Sequence, residues 1–184
     1  MWFLENNVIL TKDNFIKRKW VGCPSYCFCT EPETVDHLFF TCPIIKVVWG
    51  TLATLLGARN VPRTNKKCWR WIKNVLPNGK AIWVIGVAAV YWAIWKTRNK
   101  ACFEKKLIKS SIEILLYATV LMQHWAGLSQ EGVQDFIREG AKACHARTPV
   151  CQAPQATDCA GIAWALLSDK RQLAVAGFSS EVSD

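Results

Sequence analysis

The sequence predicts a mainly α-helical protein, in which a small loop module rich in cysteine precedes a helical bundle and a short β-hairpin lies near the C-terminus. Apolar residues recur at helical spacing over most of the chain, as they do in helices that share a core. Cysteines and a histidine cluster between positions 23 and 42, before these helices. Hydrophobic residues make up 51% of the 184 residues and ten are tryptophan, which is enough for a sizeable core.

The cysteine-rich module contains a compact group of metal-type ligands. Cys27, Cys29, His37 and Cys42 follow the pattern C-x-C-x7-H-x4-C, and Cys23 lies four residues upstream. Thiolate and imidazole are ligands that Zn²⁺ prefers, and four of them close a tetrahedral structural site. We therefore predict a zinc-binding loop at Cys27, Cys29, His37 and Cys42, with Cys23 as the alternative to Cys27. In the competing interpretation the cysteines are small apolar core residues and His37 is a buried, hydrogen-bonded histidine.

The first helix is expected just before this loop. Thr11 is a suitable N-cap for a helix from residue 12 to about residue 20, and Asp13 lies near its positive end. Pro24 and Pro32 then indicate the irregular backbone of the ligand loop.

Two more helices are predicted after the ligands. Pro43 suits the first position of a helix over Ile44–Leu56 that ends at Gly57. The apolar stripe of this helix is expected to comprise Ile44, Val47, Val48, Leu52 and Leu55. A basic linker over residues 59–67 leads to a short helix around Trp69–Val75, which the Pro77–Gly79 turn terminates.

A long helix is predicted from about Lys80 to Glu104. Its residues 81–95 form a run of fifteen uncharged positions, whereas a membrane span needs about 20 apolar residues. Apolar residues surround the whole helix, which favours a buried central helix over a membrane segment. Two shorter helices follow, from Ser110 or Ser111 to about residue 125 and over residues 130–143.

The composition changes after Ala146. Residues 147–157 have the proline and polar content of a linker. The segments Gly161–Leu166 and Leu173–Gly177 are separated by a polar turn, and together they are typical of a strand, a turn and a second strand.

The residues around the ligands resemble a known family. The run from Glu33 to Pro43 reads ETVDHLFFTCP and is followed by Trp49. It is similar to the zinc-binding domain that follows the reverse transcriptase in plant LINE-type (non-LTR) retrotransposons, with its E-T-x-x-H-L-F-F-x-C-P segment and tryptophan-bearing helix. Segments 8–20 and 92–103 also resemble that family, so the similarity covers about residues 1–140.

One position departs from the family pattern. The family has a C-x2-C pair, which would put its first cysteine at position 26, but this chain has Tyr26 followed by Cys27. A C-x-C pair can chelate one metal with a tighter backbone, and Cys23 is reached through a loop containing Pro24. The resemblance therefore implies Cys29, His37 and Cys42 as ligands more firmly than Cys27.

The resemblance also predicts the order of domains. Residues 1–143 would be a reverse-transcriptase-type zinc-binding and helical domain that is truncated at its N-terminus, and residues 144–160 a linker. Residues 161–184 resemble the start of the ribonuclease-H-like domain that trails the zinc-binding domain in these elements. A lone Asp158 cannot hold two Mg²⁺ ions for phosphodiester cleavage, so we expect no nuclease activity and interpret the chain as a fragment of a decayed element.

The formal charge of +9 and a pI near 9.2 favour anionic partners, RNA or DNA in the first place. Cationic side chains release counterions from phosphates regardless of base sequence, so non-specific binding is expected. The residues that we expect to contact nucleic acid are Lys17, Arg18, Lys19, Arg63, Lys66, Lys67 and Arg70. A third basic group runs from Lys96 through Arg98 to Lys109. Trp69 and Trp71 cannot share one helix face, so at most one of them is expected to stack on bases.

Taken together, these features predict a non-catalytic, zinc-stabilised nucleic-acid-binding module rather than an enzyme. The alternative is a structural remnant that packs against the polymerase and ribonuclease-H parts of the parent element without binding activity. The N-terminus shows no cationic region followed by an apolar signal core, so we expect an intracellular protein, cytoplasmic or nuclear, that has reduced cysteines and no membrane partner.

Overall fold

The computed structural model describes residues 4, 6–76, 80–128, 134–135 and 137–142, and this part of the chain is mainly α-helical without a β-strand. The predicted fold class is therefore confirmed. The helices are α1 (Lys12–Lys17), a π-helical turn (His37–Thr41), α2 (Pro43–Leu55), α3 (Asn65–Val75), α4 (Lys80–Phe103) and α5 (Ile112–Ala126). Within the last predicted helix, residues 134–135 and 137–142 are helical.

Helix α1 is shorter than predicted. It ends at Lys17 because Lys19 adopts a left-handed backbone conformation, with φ of 66°, that reverses the chain. Thr11 precedes the helix as expected, but its hydroxyl donates to the Asp13 carboxylate instead of capping a backbone N–H. The predicted side-chain cap is therefore wrong, although the starting residue is right.

Helix α2 begins at Pro43, as predicted, and ends at Leu55, one residue before the predicted end, with Gly57 following at φ of 68°. The predicted apolar stripe is wrong at Val47, which is 52% exposed, whereas Val48 is buried and Ile44 and Leu52 pack partly buried against the core. The buried face consists of Ile45, Val48, Trp49 and Ala53. The large ring of Trp49 packs in the core and thereby determines which side of α2 faces inward.

Helix α3 is longer than predicted and begins at Asn65. Thr64 adopts an extended backbone and its hydroxyl accepts a hydrogen bond from the Lys67 N–H at 3.3 Å. Such an N-cap stabilises a helix by about 1 kcal/mol. The residues assigned to a basic linker therefore include the first turn of a helix.

The central helix α4 packs along α5 and also contacts α3 and the π-helical turn. Between Val87 and Ile94 its side chains are buried on nearly every side, as predicted for a core helix. Among the described residues, no helix combines the length and the apolarity that crossing a bilayer would require. Helix α5 starts after Ser111 and ends before Gly127, as predicted.

An aromatic cluster joins four of these elements. Phe40 of the π-helical turn stacks on Trp49 of α2, with ring centroids 5.9 Å apart and planes 13° apart. Trp71 of α3 meets Trp49 edge-on at 6.0 Å, and Tyr91 of α4 meets Phe39 at 5.2 Å. The indole N–H of Trp49 donates to the Phe39 carbonyl at 2.7 Å. The cluster thus fixes the π-helical turn to the helical core.

A buried ion pair joins the ligand loop to α4. The guanidinium of Arg98 donates from Nη2 to Glu33 Oε1 at 2.5 Å and from Nε to Oε2 at 3.1 Å. The exposed fractions of the two side chains are 3% and 0%. Glu33 Oε1 also accepts the backbone N–H of Lys12 at 3.0 Å, so one carboxylate connects α1, the loop and α4.

The turn predicted at residues 77–79, the linker at 147–157 and the hairpin over 161–177 lie outside the described residues. The domain boundaries at 143 and 160 stay predictions for the same reason.

Replacement of Glu33 by Gln should lower the free energy of unfolding by about 3–5 kcal/mol, because it leaves the buried Arg98 charge without its partner. Urea unfolding followed by circular dichroism measures this change. The matched control is Glu31→Gln, which neutralises an exposed glutamate in the same loop and should change stability by less than about 0.5 kcal/mol. Equal stability of the two variants would contradict a structural role for the ion pair.

Candidate metal centre

Three of the predicted ligands lie together at the surface of the helical core. Cys29, His37 and Cys42 offer ligand atoms that all lie within 4.8 Å of one another. The Cys29 Sγ and His37 Nε2 atoms are 3.0 Å apart. Cys42 is fully buried, whereas Cys29 and His37 are partly exposed. This group could hold a metal ion.

The π-helical turn brings His37 and Cys42 to the same side. In a regular α-helix, residues five apart lie about 140° from each other around the axis, too far to share one ion. Here the Cys42 N–H donates to the His37 carbonyl at 3.0 Å, which is the wider i to i+5 bond of a π-helix. Leu38, Phe39 and Phe40 between them point into the core and are at most 1% exposed. Core packing of these three residues therefore holds two ligands in position.

The His37 imidazole is oriented by a neighbour in the same turn. Thr41 Oγ1 lies 3.4 Å from His37 Nδ1, which leaves Nε2 directed at Cys29. A partner on the second ring nitrogen is typical of metal-binding histidines because it selects the tautomer. Desolvation by burial is the main cause that lowers the pKa of His37 below its ordinary value of 6.5, so the imidazole stays neutral and able to bind a metal.

The Cys42 thiol lies at the start of α2. Desolvation by burial raises its pKa, and the nearby backbone amides of Ile44 and Ile45 act in the opposite direction. N–H groups at a helix start favour negative charge, so they would stabilise the thiolate that a metal requires. Binding of a metal at this sulfur is accordingly coupled to release of its proton.

The donor set fits zinc. Two thiolates and one imidazole in a tetrahedral zinc site would lie about 3.6–3.8 Å from one another, since Zn–S is about 2.3 Å and Zn–N about 2.0 Å. The observed separations bracket these values, since the Cys29 Sγ and His37 Nε2 atoms are 3.0 Å apart and no two ligand atoms of the group are more than 4.8 Å apart. Among the described residues, no carboxylate belongs to the group.

The two candidates for a fourth ligand lie outside the group of three. The Cys27 thiol interacts with Cys102 of α4, and its pKa is raised to about 12, chiefly by desolvation and then by Cys102. Cys23 is exposed, and its pKa is lowered by interactions with the backbone and side chain of Ser25. Either cysteine would have to move with its loop to complete a tetrahedral site.

Tyr26, which stands where the family pattern has a cysteine, packs against the centre. Its ring lies edge-on to His37 with centroids 5.5 Å apart and to Phe28 at 5.3 Å. The side chain is 3% exposed and its hydroxyl has no hydrogen-bond partner in the described part of the chain. Desolvation by burial strongly raises the pKa of this phenol. The tyrosine therefore covers one side of the histidine ligand.

The residues predicted to contact nucleic acid form two exposed groups. Lys17, Arg18 and Lys19 lie at the end of α1, where Lys17 pairs with Asp13 at 3.3 Å. The second group lies before and along α3 and comprises Arg63, Lys66, Lys67 and Arg70.

The structure corrects one sequence-based expectation about further contacts, that of Arg98, and confirms another, that at least one of Trp69 and Trp71 is a core residue. Arg98 was expected in a third basic group, but its charge is buried against Glu33 and cannot reach a phosphate. Trp71 is 7% exposed and its indole N–H donates to the Asn60 carbonyl at 2.7 Å, so it is a core residue. Trp69 is half-buried and packs on the core, with its buried indole N–H unpaired among the described residues.

Sequence reasoning missed Thr41 and the Glu33–Arg98 pair. Thr41 follows His37 by four residues, a spacing that places side chains on one side of a helical turn and could have indicated contact. Arg98 follows the uncharged run of residues 81–95 in the predicted central helix, and a charge that is buried there requires a partner. The sequence carries no comparable signal that Glu33 is that partner.

Comparison with known families supports the zinc-binding assignment for the N-terminal part. Residues 1–49 match a family model described as zinc-binding in reverse transcriptase. The matched segment contains Cys29, His37 and Cys42. Searches of curated proteins and of solved structures find no match to this chain.

Replacement of Cys29, His37 or Cys42 by Ala should reduce bound zinc from about one per chain to nearly none, because each removes one of the three clustered ligands. Zinc content of protein purified under reducing conditions measures this. The matched control is Cys68→Ala, which removes a buried thiol of α3 outside the group and should keep zinc. Cys23→Ser and Cys27→Ser compared in the same assay identify the fourth ligand. Unchanged zinc in all three clustered variants would contradict the site.

The apparent affinity for Zn²⁺ should rise with pH, by about tenfold per pH unit for each thiol that loses its proton on binding. The raised pKa of Cys42 keeps that thiol protonated around neutrality, and the lowered pKa of His37 confines competition by imidazole protonation to pH below 6.5. Competition with a chromophoric chelator over a pH series measures the slope. A pH-independent affinity would exclude thiols as ligands.

Proposed function

We propose that this chain is a non-catalytic, zinc-stabilised nucleic-acid-binding module of a retrotransposon reverse transcriptase polyprotein, of the plant LINE type. The match of residues 1–49 to the reverse-transcriptase zinc-binding family and the Cys29–His37–Cys42 group support the zinc-binding part of this proposal. Its partners would be RNA or DNA, bound without sequence specificity, together with the polymerase and ribonuclease-H domains of the parent element. Its place would be the cytoplasm or the nucleus.

One observation carries nucleic-acid binding, the cationic face of α3. Lys66, Lys67, Arg70 and Lys73 are exposed, and their spacing places them on neighbouring positions of one side of the helix. The helix contains no acidic residue, and no ion pair within the described residues involves any of these four. Unpaired cations held in a row on a rigid helix suit contacts with successive phosphates, which bind mainly through counterion release.

The zinc centre would act as a structural support for this surface. A zinc ion bound at Cys29, His37 and Cys42 would tie the ligand loop to the start of α2 and so to the aromatic core that carries α3. Thiolate ligands donate strongly to zinc and weaken its Lewis acidity. No carboxylate among the described residues joins the group to serve as a general base, which supports a structural role.

The alternative proposal is a purely structural module that packs against the polymerase and ribonuclease-H parts. Several large apolar side chains are exposed and could serve such packing, including Val47 at 52%, Phe103 at 73% and Leu107 at 64%. That function predicts self-association of the isolated chain and no salt-dependent affinity for nucleic acid.

Substitution of Lys66, Lys67 and Arg70 by Gln should weaken binding to single-stranded and duplex DNA alike, since phosphate contacts carry no sequence information. Fluorescence anisotropy over a salt series should show that the slope of log K against log salt becomes shallower by about 2 for single strands, about 0.7 for each lost contact.

The matched control removes three exposed charges elsewhere, at Lys105, Lys106 and Lys109. If net charge alone determines binding, the two triple variants will lose affinity equally. No salt-dependent binding by the unmodified chain would overturn nucleic-acid binding and favour the structural alternative.

A further inference from the structure

Trp20 is the most exposed tryptophan among those whose side chains the structure describes, with 42% of its surface accessible. It follows α1 directly and precedes the metal-binding loop. The other described tryptophans are buried or half-buried, and Trp49 and Trp71 both direct their indole N–H groups to main-chain carbonyls. Trp20 therefore presents an aromatic surface that the core does not use.

The backbone around Trp20 is held by a defined helix ending. The Trp20 N–H donates to the Phe15 carbonyl at 3.1 Å and the Lys19 N–H donates to the Ile16 carbonyl at 2.9 Å, the two bonds of a Schellman motif. The left-handed position of such a motif is usually glycine, as at Gly57 after α2, yet here it is Lys19. A lysine in this conformation costs about 1 kcal/mol, and it places a cationic side chain directly before the tryptophan.

The indole ring has two close neighbours, Phe15 and Gly22. Phe15 packs against it with ring centroids 6.0 Å apart. On the other side of the turn, a Cβ at Gly22 would lie 2.1 Å from Cη2 of Trp20, so only glycine allows the ring to lie this close to the backbone. Contacts that restrict a ring before a ligand arrives reduce the entropy cost of binding.

Three cationic residues directly precede Trp20 in the chain. Lys17, Arg18 and Lys19 are exposed at the end of α1, and the next residue, Val21, is 96% exposed. Among these, Lys17 pairs with Asp13, whereas no ion pair in the described part of the chain involves Arg18 or Lys19. An exposed aromatic ring that directly follows Arg18 and Lys19 in the chain combines the two elements by which proteins bind single strands, base stacking and phosphate contact.

We propose that Trp20 is a base-stacking residue and that Arg18 and Lys19 contact the adjoining phosphates, so that the module prefers single-stranded nucleic acid to duplex. The inference rests on the proposed nucleic-acid-binding function and specifies its ligand. In a duplex the bases are already stacked on each other, so the ring gains a partner only where bases are unpaired.

The test compares Trp20→Leu with Trp20→Phe in the full chain, with a labelled oligothymidylate and a duplex carrying equal phosphate numbers as probes. Leucine keeps an apolar contact with Phe15 but has no aromatic face, whereas phenylalanine keeps both. The Leu variant should bind the single strand about tenfold more weakly, and the Phe variant should lose much less. Affinity for the duplex should stay within about twofold in both. Val21→Ala, which trims the exposed neighbouring side chain, should leave both affinities unchanged.

Each result has one meaning. A Leu variant that binds the single strand as well as the unmodified chain overturns stacking by Trp20 while leaving the proposed function intact. Equal losses of affinity for single strand and duplex also overturn it. Zinc content and helicity of the Leu variant are measured as well, and unchanged values show that the variant is folded. If the unmodified chain binds neither probe at low salt, the proposed function itself fails and the inference falls with it.

Discussion

The Glu33 carboxylate is the constraint on which the rest of the structure depends. It accepts hydrogen bonds from the backbone at the start of α1 and from the guanidinium of Arg98 in α4, and it lies in the loop between Cys29 and His37. Two buried charges are tolerated only when they are paired with good geometry. The ligand loop is therefore restricted to a position in which Glu33 can bond to both Arg98 and the Lys12 N–H. Arg98 also lies 5.2 Å from the centroid of the Trp95 ring, which adds a cation–π contact to the same junction.

The candidate metal ligands His37 and Cys42 also depend on the packing of the helical core. Leu38, Phe39 and Phe40 are buried, and their packing favours the π-helical turn that brings His37 and Cys42 together. The aromatic cluster and the ion pair thus hold the ligand loop from two sides. A bound zinc ion would add a third tie between loop segments that are close together in the structure.

The cationic residues are of two kinds, buried and exposed, which amino-acid composition alone does not distinguish. Arg98 serves the interior, whereas Lys66, Lys67 and Arg70 remain exposed on a helix without carboxylates. The same division applies to the tryptophans, since Trp49 and Trp71 form the core and Trp20 is exposed at the end of α1. The structure thus separates the charged and aromatic residues that serve the core from those that remain exposed.

The sequence by itself determined the mainly helical class, the boundaries of α2 and α5 and the ligand candidates, because capping residues, apolar period and ligand chemistry act over a few neighbouring positions. It did not determine which residues of α2 face inward. Nor did it determine whether the Cys27 thiol lies with the metal-ligand group or beside Cys102 of α4, where the structure places it. Only the tertiary structure decided these, together with the pairing of Glu33 with Arg98 across 65 positions of the chain. Contacts between distant segments depend on how the whole core packs, and local sequence carries no record of that packing.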